Sequence, residues 1–329
     1  MSHDGALVVD GHMDTPLRLL DEGADFYARG ADGHADLPRL RSGGVDAVFF
    51  AAFVDPAFAP DGARARAEGL LAIIRGTADA HPEAVGFATS AADVRQLAAE
   101  GRLALLAGIE NGQALEGRVE NAAHFYALGV RYLTLTWMNS NEWGDAAGDA
   151  PLHGGLSPAG RDLIAEMNRL GMLIDLAHAA PSTVRNVLAL TTAPVVVSHS
   201  ATEARGVHPR NLSDDQLRAV AANGGLVGVN FFSRYLAPHD AANPPWTVIV
   251  DHIERVVEVA GITCAALGSD LDGVPQLPEG FRGAQDFPLI AGELERRGYS
   301  GADLAGILGG NWLRLLESAT GAPFSGSAG

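Results

Sequence analysis

The chain has little of what several protein classes require. It carries one cysteine, Cys264, in 329 residues, which excludes an intramolecular disulfide. The position of Cys264 in an apolar run marks a packed thiol rather than a reactive one. Basic residues are scarce: 23 Lys and Arg stand against 40 Asp and Glu, for a formal net charge of −17. Nucleic acids and anionic membranes are held largely through basic stripes, and none is present, so neither partner is expected. No apolar run approaches the roughly 20 residues that a spanning helix needs. The N-terminus shows neither a basic region nor an apolar signal core, so the expected location is cytoplasmic. Repeats, low-complexity tracts and evident linkers are absent too. What is present is a sequence 47% hydrophobic and 19% charged, enough to bury a large core. A single domain is expected over 1–320, with 321–329 a frayed tail.

Two apolar runs that each end in histidine give the first architectural clue. Residues 172–178 and 195–199 lack polar alternation and read as buried strands, and 181–190 between them reads as a helix with Pro181 in its first turn. A β-α-β unit with a right-handed crossover places both strand C-termini on one edge. His178 and His199 are therefore expected to be neighbours in space, although they are far apart in the chain. Two adjacent imidazoles point to a metal, whereas a lone buried histidine more simply bonds to backbone.

Further strand-like runs cover 6–14, 45–53, 103–110, 132–137, 225–232 and 264–270, with a minor segment near Gly86. Helices are expected at 62–80, 91–100, 119–128, 158–170 with Ser157 as N-cap, 214–222, 246–260, 286–298, 301–309 and 311–318. Residues 17–44 read as a polar, glycine-rich excursion and 139–155 as a polar loop. Eight strand-like runs alternating with helices predict a (β/α)₈ barrel of the TIM type rather than a doubly wound open sheet. His12, Asp14, Glu110, His178, His199 and Asp270 all fall at C-terminal strand ends, the face on which such barrels build their sites. His3, His34, His81, His124, His153, His208, His239 and His252 lack that placement and read as surface or loop histidines.

Imidazoles and carboxylates without cysteine suit an open site for zinc or a similar divalent ion. With Glu110 bridging, one metal takes His12, Asp14 and Glu110 and the other takes Glu110, His178 and His199. That arrangement leaves room for a hydroxide shared between metals about 3.5–4 Å apart. Asp270 is then placed to take the water's proton and pass it to a leaving amine. Singly, each residue has a plainer reading. His12-x-Asp14 before Thr15-Pro16 orders a turn, Glu110 is a buried ion-pair partner, and Asp270 and Asp272 are turn residues of 268–273. Their placement on one face is what favours a site.

These residues resemble those of the membrane (renal) dipeptidase family of binuclear zinc peptidases, within the amidohydrolase-like barrels. The likeness runs through nearly the whole chain: Val9-Asp-Gly-His12-Met-Asp14, Gly108-Ile-Glu110-Asn-Gly112, Tyr132-Leu-Thr-Leu-Thr136, Ile174-Asp-Leu-Ala-His178, Ser198-His199-Ser200, Pro209-Arg210-Asn211, Gly268-Ser-Asp270-Leu-Asp-Gly-Val-Pro275 and Gly310-Asn311-Trp-Leu-Arg314. The resemblance implies a soluble, bacterial-type member with two Zn²⁺ per chain and a small dipeptide as substrate. It implies His12 and Asp14 on one zinc, His178 and His199 on the other, Glu110 bridging, Asp270 as the acid/base residue and Arg210 on the substrate's C-terminal carboxylate. The mammalian members are secreted and lipid-anchored, whereas neither a signal peptide nor a C-terminal apolar anchor is expected here. They also carry a substrate-contacting histidine after Thr-Leu-Thr, where this chain has Trp137. Trp137 is therefore expected to line the pocket, with Asn139 of the following Met138-Asn139-Ser140-Asn141 supplying the missing donor. The family also includes hydrolases accepting a C-terminal D-residue, which leaves stereochemistry open, as are side-chain preference, native metal and homo-oligomerisation. The expected activity is zinc-dependent dipeptide hydrolysis. The alternatives are another amidohydrolase, such as an N-acyl amino acid deacylase, and a non-catalytic metal-binding barrel.

Overall fold

Parallel strands close into a barrel in the structure, a computed structural model that describes residues 6–238 and 242–320. The expected tail at 321–329, with His3 and His239, lies outside the described residues. The strands in chain order are β1 (Val9–Met13), β2 (Ala47–Phe53), β3 (Val85–Phe87), β4 (Leu103–Glu110), β5 (Val130–Thr134), β6 (Leu173–Asp175), β7 (Val196–Ser200), β8 (Leu226–Val229) and β9 (Ala265–Leu267). Their order is β2-β1-β9-β8-β7-β6-β5-β4, and β2 pairs with β4 from Ala47↔Ala104 to Phe53↔Glu110, which closes an eight-strand ring. The segment near Gly86 is β3. It pairs with β4 over Leu103 to Leu105 and leaves the rest of that edge, from Ala107 onward, to β5.

The strands read as unbroken apolar runs because both of their faces are covered. Every residue of β4 is buried. One set of strand side chains, with Val9, Phe49, Leu106, Tyr132, Leu173, Val196, Leu226 and Ala266 among them, fills the barrel interior onto Trp312 of the helix Asn311–Thr320. The other set packs against the surrounding helices. At Gly11 a Cβ would overlap the Trp312 ring, so only glycine lets the indole floor the barrel beneath β1. A register shift between Asp10 and Met13 switches β1 from interior packing at Val9 to helix packing at Met13.

Helices Pro158–Leu170, Pro181–Leu190 and Asp214–Ala222 lie where their caps and periodicity predict, with Ser157 Oγ accepting from Gly160 N. Residues 17–44 hold more structure than expected. Helix Thr15–Leu17 runs into a π turn, Arg18–Glu22, and Leu37–Ser42 is helical with Asp36 as its cap. Both pieces are too short to show a period. The expected helix at 301–309 is helix Gly301–Ala305 followed by a π turn, Gly306–Gly310. His252 also departs from expectation: it is fully buried in helix Thr247–Ala260. Its Nδ1 accepts from Thr202 N at 3.0 Å and its Nε2 faces Leu236 O at 3.1 Å, tying that helix to the segments after β7 and β8. Cys264 is buried as expected, and burial pushes its thiol up to about 12. Among the described residues no helix is long and apolar enough to cross a membrane.

Candidate metal centre

The C-terminal ends of β1, β4, β6, β7 and β9 bring six of the predicted side chains together. Three overlapping groups each hold ligand atoms within 4.8 Å of one another: His12, Asp14 and Glu110; Glu110, His178 and His199; and His12, His199 and Asp270. Glu110 joins the first two groups. Its Oε2 lies 3.4 Å from His12 Nε2, while Oε1 lies 2.9 Å from His178 Nε2 and 3.6 Å from His199 Nε2. His12 Nε2 is also 3.4 Å from Asp14 Oδ2. His178 and Asp270 stand beyond their strands in left-handed backbone, at φ 67° and 63°. That conformation is costly for residues other than glycine and concentrates at functional sites.

Residues behind the cluster fix which ring nitrogen faces it. Tyr132 OH donates to Gly11 O at 3.3 Å, so it accepts from His12 Nδ1 at 2.9 Å and turns the Nε2 lone pair toward Glu110 and Asp14. Ser198 Oγ donates to Asp175 Oδ2 at 2.6 Å, so it accepts from His199 Nδ1 at 2.9 Å and aims Nε2 in the same way. Asp175 also receives Ala177 N at 3.0 Å and Ser198 N at 2.8 Å, and Asp10 receives His12 N at 2.9 Å and Ser269 N at 3.1 Å. Orienting partners of this kind set tautomer and basicity in metal sites. Sequence reasoning missed Asp10, Tyr132, Asp175, Ser198 and Asn230. The available signal was an acid inside each of two apolar runs, Val8-Val9-Asp10 and Leu173-Ile174-Asp175.

The donor set fits divalent cations. His12 Nε2 and Asp14 Oδ1 are buried without a hydrogen-bond partner, an arrangement that costs stability unless something else satisfies those atoms. His178 Nε2 and His199 Nε2 face each other at 3.0 Å. Two imidazole nitrogens sharing one tetrahedral zinc, each at about 2.0–2.1 Å, stand roughly 3.3 Å apart.

Electrostatics agree with that fit. Burial, with Arg210 adding to it, pushes His178 down to about 4. Burial and the positive end of His12 push His199 well below the usual histidine range, so both imidazoles are neutral, the form that binds metal. Burial alone would raise Glu110, but the facing imidazoles of His12, His178 and His199 hold it well below the usual carboxylate range. Burial likewise opposes a charge on His12, yet Tyr132, Glu110 and Asp14 together lift it. The opposite shifts of Glu110 and His12 express one fact: buried carboxylate charge here calls for a cation. Asp270 is pushed well above the usual range by burial and by Asp14, while its Oδ2 accepts from Asn230 Nδ2 at 2.8 Å. Gly273 presses against both carboxylates, and a Cβ there would overlap Asp14 Oδ2 and Asp270 Oδ1.

A cavity of about 310 Å³ opens onto the cluster, lined by Asp14, Glu110, His178 and Asp270 and walled by Leu17, Phe53, Trp137, Met138, Phe232, Tyr235, Val274 and Pro275, among others. Trp137 is half-buried on this wall, its ring 4.9 Å from Phe53 and 6.3 Å from His178. Arg210 lies behind the wall, 3% exposed, with its guanidinium 5.6 Å from the Tyr235 ring and Nη2 donating to His199 O at 3.0 Å. Its Nε has no partner, and among the described residues no carboxylate pairs with it. Asn139 is not brought to the cavity. Its amide nitrogen points to Gln113 Oε1 at 3.4 Å and Ser140 O at 3.3 Å. A larger groove of about 540 Å³ between helices Pro181–Leu190 and Asp214–Ala222 contains none of the clustered residues.

Comparison with known proteins places this geometry. A sequence model of the membrane dipeptidase family, peptidase family M19, matches residues 3–323. Dipeptidase verJ of Clonostachys rogersoniana is 35% identical over 94% of this chain and 84% of its own length. Dipeptidase aclJ of Aspergillus oryzae is 35% identical over 94% of this chain and 77% of its own length. Among solved structures, dipeptidase AC, an M19 metallopeptidase, superposes with a TM-score of 0.89 at 29% identity, covering 96% of this chain and 99% of that one. A metallopeptidase from Rhodobacter sphaeroides, liganded with a phosphinate mimic of the dipeptide L-Ala-D-Ala, superposes with a TM-score of 0.88 at 28% identity, covering 95% and 99%.

Proposed function

The chain belongs to the membrane dipeptidase family, M19, a family of peptide-bond hydrolases, and from that premise we propose that it cleaves free dipeptides, those with a C-terminal D-residue included, using two zinc ions. His12 and Asp14 would hold one ion, His178 and His199 the other, and Glu110 would bridge them. The observation that carries this reading is Glu110, whose two oxygens face the two imidazole groups separately. Zinc held there supplies Lewis acidity toward the scissile carbonyl and lowers the pKa of water toward neutrality.

The chain's own residues do the rest. Asp270 has one oxygen occupied by Asn230, which leaves Oδ1 to carry the proton from the attacking water to the leaving amine. Burial and the neighbouring Asp14 carboxylate raise its pKa, which favours the protonated form that the transfer passes through. Arg210 is a buried cation without an acidic partner among the described residues, and the substrate's C-terminal carboxylate supplies one. The D-residue scope draws support from the Rhodobacter relative and its L-Ala-D-Ala mimic.

A panel of L,L- and L,D-dipeptides, dipeptide amides and N-acetyl amino acids tests the reading. Dipeptides should turn over and N-acetyl amino acids should not; the reverse order would make the protein a deacylase. Arg210→Met should raise KM for dipeptides by the worth of a charge-assisted contact, about 1.5–3 kcal/mol. The amides, poor substrates to begin with, should lose little more. Equal losses for acids and amides would move Arg210 out of the carboxylate site.

A further inference from the structure

Large apolar side chains in this barrel are normally covered: Phe49, Phe50, Trp143 and Trp312 are completely buried. Around the metal cluster they are not. Leu17, Phe53, Trp137 and Phe232 are only half-buried, and Met138 is 42% exposed, all of them lining one cavity. An apolar patch held open beside a reactive cluster marks a ligand contact.

The ring of strands assigns its two walls. In the order β1-β2-β4-β5-β6-β7-β8-β9, β2 and β5 flank β4, while β7 and β8 lie across the barrel. Phe53 at the end of β2 and Trp137 just past β5 therefore stand to either side of Glu110, in ring contact at 4.9 Å. Arg210 and Tyr235, after β7 and β8, stand opposite. On the dipeptidase reading, a dipeptide whose carboxylate is directed to the Arg210 side and whose carbonyl lies at the cluster would place its N-terminal side chain on the Phe53 and Trp137 wall.

That wall offers nothing to a charge. The ionisable groups lining the cavity are those of the cluster, Tyr235 beside Arg210, and Asp272. The Asp272 carboxylate is unexposed and already held by His34 N at 2.6 Å, Thr15 Oγ1 at 2.7 Å and Arg18 Nη1 at 3.8 Å. We propose that Phe53 and Trp137 form the subsite for the N-terminal side chain, and that the enzyme selects dipeptides carrying a bulky apolar or aromatic residue there. The inference rests on the dipeptidase reading above.

The test is kcat/KM of the zinc-loaded enzyme for Phe-Ala, Leu-Ala, Ala-Ala, Glu-Ala, Lys-Ala and the reversed Ala-Phe. Phe-Ala and Leu-Ala should exceed Ala-Ala by at least about tenfold, the scale of added apolar groups in a fitted pocket, and Glu-Ala and Lys-Ala should fall below it. Trp137→Ala and Phe53→Ala should each shrink the Phe-Ala to Ala-Ala ratio several-fold and leave the Ala-Phe to Ala-Ala ratio within about twofold. Because each ratio is taken within one preparation, partial loss of folded protein cancels. A flat or charge-favouring order in the unaltered enzyme overturns the proposal, as does a ratio that neither variant changes. Dipeptide turnover with a flat order leaves the dipeptidase reading standing and removes only this subsite. Turnover of N-acetyl amino acids alone removes both.

Discussion

At Asp270 two requirements meet. A proton carrier must be able to ionise, yet burial and the nearby Asp14 carboxylate hold this carboxyl well above its ordinary range. Asn230 stabilises the ionised form through Oδ2, and Gly273 leaves space for both carboxylates. Asp270→Asn keeps the shape and a carbonyl oxygen for Asn230 but cannot shuttle a proton. Metal content should be retained while kcat falls by about 10²–10⁴, the usual worth of a general acid/base group. Unchanged kcat in the metal-loaded variant would reduce Asp270 to a turn residue. The six clustered side chains were legible in the sequence because each closes an apolar run. Tyr132, Asp175 and Ser198 were not, since their role lies in fixing a tautomer and depends on contacts between strands far apart in the chain. Trp137 stands on the wall of the cavity beside the cluster, whereas Asn139, two residues further, points to Gln113.

At the scale of elements, His252 shows how the helical shell steadies the rim of the site. Thr202 N donates to its Nδ1, so its proton must sit on Nε2 and reach Leu236 O. Thr202 begins the segment that carries Arg210, and Leu236 follows Tyr235. Burial depresses this imidazole to about 4, against about 6.5 in an unfolded chain. The unfolded state therefore binds more protons between those values. The stabilisation is complete above about pH 6.5 and is lost as pH falls through 4. Urea unfolding from pH 7 to 4 should show the unaltered protein losing about 3 kcal/mol more than His252→Gln, whose amide keeps both hydrogen-bonding functions without the titration. Parallel curves would show that His252 does not titrate across this range. Element legibility followed length and capping. Helix Pro158–Leu170 announced itself through Ser157 and Pro158, while Leu37–Ser42 and the π turn Arg18–Glu22 span too few residues to carry a period. His252 was misread because one histidine on an apolar helix gives no sign of which neighbours will receive it.

For the molecule as a whole, closing the sheet between β2 and β4 sets Glu110 between the imidazoles of β1 and those that follow β6 and lie on β7. An interior packed from Val9 to Trp312 supports the cluster from below, and the clustered side chains lie at the C-terminal ends of the strands or within three residues beyond them. Chelation should therefore remove activity without unfolding the chain. The most direct measurement is zinc reconstitution of the chelated protein, following hydrolysis of Ala-Ala alongside bound metal and circular dichroism. Two ions shared through Glu110 predict that activity returns in full only as two equivalents bind, with the far-ultraviolet spectrum unchanged throughout. Full activity at one equivalent, or in the metal-free protein, would contradict the binuclear site.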